Sequence, residues 1–229
     1  MATQLSFDLP SKTALGREDF FVSPANALAV AMISATSWPG NKLVLSGPAG
    51  SGKTHLAHVW AAETGGRIVQ AIDLRYEEVP NLARTSVAIE DVPLIAGDPE
   101  QQKTLFHLHN LVLAEGNALL MTGRSAPKLW RLPLADLQSR VEGAHHVALE
   151  APDDALLGAV LAKLFTDRQL SPGPDVIAYL VKHMDRSFEA AAKVVDELDR
   201  IALDEKRDIT RALAVRLLNT ELEQSDAHD

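Results

Sequence analysis

Apolar and polar positions follow two different rhythms along this chain. From Leu43 to about Leu149, short apolar runs alternate with helical stretches. Leu43-Val44-Leu45-Ser46 reads as a short buried strand. A helix follows to about Thr64, where Gly65-Gly66 stop it. Arg67 to Ile72 and Ser86 to Ile89 read as further strands, the second ending in Glu90-Asp91. Pro99 to Ala114 carry helical periodicity, Ala118 to Thr122 a strand, Leu134 to Val141 a short helix and His146 to Leu149 a last strand. Strands alternating with helices predict an α/β domain with a mostly parallel sheet.

The rhythm changes at Glu150-Ala151-Pro152, beyond which no strand pattern occurs. Asp153 is suited to cap a helix to about Gln169. Pro172-Gly173-Pro174 interrupt the chain, and Pro174 suits the start of the next helix, Asp175 to Met184. Ser187 is placed to cap a long helix to about Leu203, and Thr210 a last one to about Leu222. The expected organisation is a mobile leader at 1–19, a nucleotide-binding domain at 20–150, a small helical domain at 151–223 and a frayed tail at 224–229.

Composition narrows the function classes. Among 229 residues there is no cysteine, which excludes disulfides and thiolate metal sites. No apolar run approaches the ~20 residues needed to span a bilayer, and the start, Met1 to Pro10, has no secretory character. A cytoplasmic protein is expected. The formal net charge of −9 argues against a broad grip on nucleic acid, which needs clustered cations. His107 and His109 point to different helix faces and suit solvent or core-edge roles rather than a metal. His145-His146 are discounted in the same way. Trp38, Trp60 and Trp130 are expected at domain edges.

The strongest chemistry lies between the first strand and its helix. Gly47-Pro48-Ala49-Gly50-Ser51-Gly52-Lys53-Thr54 matches G-x-x-x-x-G-K-[ST] in full, in the strand-to-helix context the motif requires. Glycines let backbone N–H groups converge on phosphate oxygens, and the helix N-terminus adds partial positive charge. Lys53 suits the β- and γ-phosphates, and the Thr54 hydroxyl suits Mg²⁺. A phosphate loop also needs an acidic strand end. Val87-Ala88-Ile89-Glu90-Asp91 is the one apolar strand that finishes in two carboxylates. Glu90 or Asp91 would complete the metal shell, with the other as base toward water.

Beyond these motifs, the chain from Gln4 to about Leu218 resembles the AAA+ ATPases, in particular the DnaA-related branch and its Hda-like regulators of replication initiation. Phe20 to Ala29 is similar to the stretch that lines the family's adenine pocket, which implies roles for Phe21, Val22 and Asn26. Ile89-Glu90-Asp91-Val92 with Ala96-Gly97-Asp98 resembles the Walker B region, and Leu120 to Gly123 with Ala126-Pro127 the sensor 1 strand. Leu137-Gln138-Ser139-Arg140 resembles the Ser-Arg box that carries an arginine finger, which makes Arg140 the candidate catalytic residue beside Asp91. Its alternative is a surface arginine pairing with Glu142 or Asp136. The helices after Pro152 resemble the AAA+ lid, with Met184-Asp185-Arg186 and Asp196 to Arg200 similar to the regulators. The implied fold is an AAA+ P-loop domain followed by an all-helical lid, and the implied cofactors are ADP or ATP with Mg²⁺.

The leader adds a separate resemblance. Gln4, Leu5, Phe7 and Leu9 are similar to the peptide that binds the DNA polymerase sliding clamp, with Gln4 at a pocket rim and three apolar anchors. The alternative is a tail whose apolar residues fold back. The resemblance stops at the lid, short of the initiator's helix-turn-helix, so direct sequence-specific DNA binding is not expected. The implied partners are the clamp and the DnaA initiator, and self-association is compatible with the pattern.

Three positions depart from the family. Glu90 stands where Asp is usual, Arg124 where an acid commonly follows sensor 1, and Glu189 where an ungapped reading puts the sensor 2 arginine. Arg186, one turn earlier, is the substitute for that role. Weak or absent intrinsic ATPase is therefore expected, with Arg140 acting in trans. The rival readings are an AAA+ ATPase that remodels or loads a partner such as a helicase, and a non-catalytic clamp-binding adaptor.

Overall fold

The apolar runs pair edge to edge into one sheet. In the computed structural model, which describes residues 21–35 and 37–226 with side chains to Thr220, α1 (Ala27–Ile33) precedes β1 (Lys42–Ser46). There follow α2 (Lys53–Thr64), β2 (Arg67–Gln70), α3 (Val79–Leu82), β3 (Val87–Glu90), α4 (Pro99–Ala114), β4 (Leu119–Gly123), α5 (Ala135–Glu142) and β5 (His145–Ala148). The strand order is β2-β3-β4-β1-β5, and every pairing is parallel. All strands therefore finish on the same edge, where ligands of such sheets sit. Gly65 ends α2 in the left-handed conformation, as its position predicts.

The sheet separates two apolar layers. Val44, Ile89, Leu119 and Met121 pack against Leu105, Leu108 and Val112 of α4. Leu43, Leu45, Ala88 and Leu120 pack on the other face with Leu56 and Ala57 of α2 and with Ala29 and Ile33 of α1. The central strands β1, β3 and β4 are buried on both faces, which is why they read as continuous apolar runs, whereas β2 and β5 at the sheet's edges are largely exposed or half-buried. The tryptophans are not edge residues. All three are buried, and Trp38 stacks on Trp60 with centroids 5.3 Å apart. The Trp38 indole N–H reaches the Met32 carbonyl at 2.7 Å, so the one polar atom of the ring is satisfied inside the core.

Beyond β5 come α6 (Asp154–Asp167), α7 (Pro174–His183), α8 (Phe188–Glu205) and α9 (Arg211–Asp226). The first and third are capped as their sequences predict. Asp153 accepts from Leu156 N–H at 2.8 Å and Ser187 from Ala190 N–H at 3.0 Å. Their apolar faces meet in a separate core that includes Leu157, Leu161, Phe165, Leu180, Val195, Leu198 and Leu213. The last helix runs to Asp226 rather than to Leu222.

Several boundaries shift by a residue or two because sheet pairing, not hydrophobicity, sets them. β5 begins at His145, opposite Leu43, and β2 stops at Gln70, where the chain turns so that Ala71 and Leu74 are buried. Helix α1 carries no cap that marks it in the sequence, and its Asn26 makes no capping bond. His109 is buried in α4 rather than at the core edge, and His107 stacks on Tyr76 at 5.4 Å. The leader and its Gln4, Leu5, Phe7 and Leu9 lie outside the described residues. Among the described residues, no helix is long and apolar enough to cross a membrane.

Candidate functional site

The phosphate loop leaves β1 at the finishing edge of the sheet and opens α2 at Lys53. Gly50 shows why the loop tolerates so few side chains. Its φ is +65°, and a Cβ there would lie 2.5 Å from Ser187 Cβ. That close approach seats the start of α8 on the loop, and Phe188 N–H donates to the Gly50 carbonyl at 2.8 Å. Glu189 lies at the same contact, 3.4 Å from the position of such a Cβ. Arg186 pairs with Asp154 at the start of α6.

Lys53 is buried, and its ammonium donates to the carbonyls of Gly47 and Pro48, each at 2.8 Å. Burial lowers its pKa, Asp91 opposes that shift, Arg124 adds to it and Glu90 opposes it. Glu90, Asp91 and Arg124 thus all act on Lys53. The ammonium is folded onto carbonyls that a phosphate would replace as its partner. Thr54 is exposed one residue further on.

Glu90 is 3% exposed, a costly place for a carboxylate. Gln70 Nε2 donates to its Oε2 at 2.9 Å, while Oε1 has no hydrogen-bond partner. An orphaned buried carboxylate oxygen fits a cation or ordered water. Among the described residues no three His, Cys, Asp or Glu side chains cluster as a metal cage. Mg²⁺ takes one or two carboxylates and completes its shell with water and phosphate oxygens. Thr54, Glu90 and Asp91 are the hard oxygen donors that would hold it, and the ion would neutralise charge on the phosphates.

Asp91 turns the chain with φ at +51°, a left-handed conformation that Asp tolerates better than most residues. Its N–H donates to Thr122 Oγ1 at 3.0 Å, so the end of β4 clamps this turn. Gly123 follows, and an added Cβ would meet the Trp130 ring at 2.6 Å. Trp130 in turn donates to the Ser125 carbonyl at 2.7 Å.

Asn26 is buried and does structural work. It donates to the Phe21 carbonyl and accepts from Ser23 N–H, each at 2.9 Å. The loop it folds is tied to the phosphate-loop edge, since Glu150 N–H reaches Ala25 and Leu149 N–H reaches Ser46. Phe21 and Val22 are left exposed, at 43% and 61%. These apolar side chains are available to a planar ring.

Arg140 lies elsewhere. Lys42, the first residue of β1, donates from Nζ to the Arg140 carbonyl at 2.9 Å. The strand from Lys42 to the phosphate loop covers about 16 Å at a strand's rise per residue. The guanidinium belongs to the opposite edge of the sheet from its own loop. It is exposed and, among the described residues, makes no ion pair. Asp136 makes no pair with it, and Glu142 accepts from Gln138.

Sequence reasoning missed Gln70, Lys42 and the contact of Ser187 with Gly50. Gln70 left one trace, a polar residue at the end of an apolar strand, in register with Glu90 in the neighbouring strand.

No family model matches the chain. Among solved structures, domain III of the Thermotoga maritima replication initiation protein DnaA superposes with a TM-score of 0.79 at 19% identity, over 90% of this chain and 96% of that one. A replication initiator DnaA bound to AMPPCP and single-stranded DNA gives 0.66 at 21%, over 80% of this chain and 63% of that one. A Thermotoga maritima RuvB mutant gives 0.65 at 14%, over 86% and 68%. The chain has the AAA+ fold these proteins share, a parallel sheet with flanking helices followed by C-terminal helices.

Proposed function

We propose that the protein is an AAA+ nucleotide-binding regulator of replication initiation, similar to Hda. In this reading it is tethered to the sliding clamp and stimulates ATP hydrolysis on the DnaA initiator, so restraining initiation. ADP or ATP with Mg²⁺ sits on Gly47 to Thr54, with Phe21 and Val22 beside the base on the loop that Asn26 folds. Glu90 and Asp91 face the metal. The start of α8, with Arg186 nearby, covers the phosphates. Gln4, Leu5, Phe7 and Leu9 bind the clamp. The DnaA structures solved with AMPPCP support the nucleotide part.

One observation carries the trans role: an exposed arginine, unpaired among the described residues, at the sheet edge remote from its own phosphate loop. A guanidinium there can complete only a site on another molecule. Supplying such a group to bound nucleoside triphosphate is worth ~10³–10⁵ in rate. The position at the start of α8 that packs its Cβ near Gly50 carries Glu189 rather than a cation, which fits weak hydrolysis in cis.

The test mixes ATP-loaded initiator, clamp on DNA and this protein. The expected result is clamp-dependent hydrolysis that Arg140→Ala reduces ~10³-fold. Stimulation that survives Arg140→Ala sinks the trans mechanism and favours the adaptor. Strong ATPase without initiator or clamp, lost in Lys53→Ala, favours the remodelling enzyme, a reading to which the free Glu90 oxygen lends weight.

A further inference from the structure

Lys42 is a cation that neither the phosphate site nor the trans mechanism has used. It opens β1, the strand that ends in the phosphate loop, yet its side chain turns to α5. Arg140 lies in the last turn of that helix, where carbonyls have no partner within the helix and the dipole is negative. Lys42 Nζ takes up the carbonyl of Arg140 itself. At the next turn, a Cβ on Gly143 would lie 3.8 Å from the same ammonium, so the helix end closes over it.

The rest of α5 is anchored differently. Gln138 accepts from Leu132 N–H and donates to the Pro127 carbonyl, which fixes the middle of the helix. Val141 packs the last turn into the core, and Lys42 adds a hydrogen bond from the start of β1 to the Arg140 carbonyl. Its environment agrees: burial, and then the nearby Arg140 charge, hold its ammonium below the usual lysine range. His109 is buried nearby, its Nε2 has no hydrogen-bond partner, and after burial and Asn110 the charges of Lys42 and Arg140 act on it.

We infer that Lys42 is a positioning residue for Arg140: by holding the carbonyl of Arg140 it sets where the guanidinium projects. The inference rests on the trans reading above. It makes the strand that carries the protein's own phosphate loop the anchor of the group it offers to another molecule. Misplacement of a reacting group by about 1 Å can cost ~10²-fold in rate, so the role is kinetic rather than adhesive.

The test is a titration of stimulated hydrolysis on ATP-loaded initiator with clamp, comparing wild type, Lys42→Met, Lys42→Arg and Arg140→Ala. Lys42→Met is expected to lower the maximal rate between about 10-fold and 10²-fold, leaving the half-saturating concentration and the protein's own nucleotide affinity unchanged. Lys42→Arg, which keeps a cationic donor, restores most of the rate. A wild-type maximal rate in Lys42→Met overturns the inference. So does a loss that merely tracks the folded fraction seen by circular dichroism. Arg140→Ala separates the two failures. If it retains stimulation, the trans reading falls and takes the inference with it. If it alone loses stimulation, only the role of Lys42 falls.

Discussion

Where the strands of the sheet finish, Lys53 donates to the Gly47 and Pro48 carbonyls and Glu90 accepts from Gln70. Where they begin, Arg140 is exposed and, among the described residues, unpaired, with only its backbone held by Lys42. The first edge is a site built for the chain's own ligand. Its Lys53 and Glu90 are buried, Lys53 held by backbone carbonyls and Glu90 by Gln70 through one of its two oxygens. The second edge holds the backbone firmly and leaves the charge free. In the function proposed above, a group arranged in that way acts on another molecule. One β-strand, β1, connects the two.

The contrast breaks most easily at the phosphate edge. After the effects at Arg140 and Lys42 given above, the next largest is expected from Lys53→Ala. It removes a charge-assisted contact to the phosphates and should weaken nucleotide affinity about 10²-fold, read with a fluorescent nucleotide analogue. Arg140→Ala should leave that affinity untouched. Equal losses in both variants would show that the two edges are not independent.

Gly50→Ala probes the seat of α8 on the loop. The added methyl meets Ser187 at 2.5 Å in a left-handed backbone. A cost of about 2 kcal/mol, or a fall of ~4–8 °C in melting temperature, is expected. A wild-type melting curve would mean that α8 does not press on Gly50 in solution.

The smallest effect lies under the Arg140 edge. Burial holds His109 below its ordinary pKa, with Asn110 opposing and Lys42 and Arg140 reinforcing the shift. Below about 6.5 the unfolded chain therefore takes up a proton that the folded chain refuses. Stability is full above that value and falls as the pH drops toward the lowered folded one. His146, lowered by burial and by His145, adds in the same direction. His109→Gln should flatten the dependence of melting temperature on pH between neutrality and about 5.5. An unchanged slope would remove His109 from this account.

What could be read from the sequence was what neighbours in the chain determine. The phosphate loop needs only eight consecutive residues, and Asp153 and Ser187 announce their helices within three. The alternation of apolar runs with helices was enough for the parallel sheet. What escaped depends on residues brought together from far apart. Lys42 meets Arg140 across nearly a hundred positions, and Gln70 meets Glu90 through strand register. Trp38 and Trp60 are individually unremarkable in the sequence, but stacking makes them core. Ser187 reads as a cap and nothing more until its helix is docked on Gly50. Spacing carries no record of such contacts, so the candidate site was legible in its ligands and not in its supports.

The most direct test of the trans account asks whose nucleotide is cleaved. Initiator is loaded with γ-labelled ATP, this protein with unlabelled ADP, and the two are mixed with clamp on DNA. The account predicts rapid release of labelled phosphate from the initiator, lost in Arg140→Ala. Label released only when the ATP is loaded on this protein, or released equally by Arg140→Ala, would contradict it.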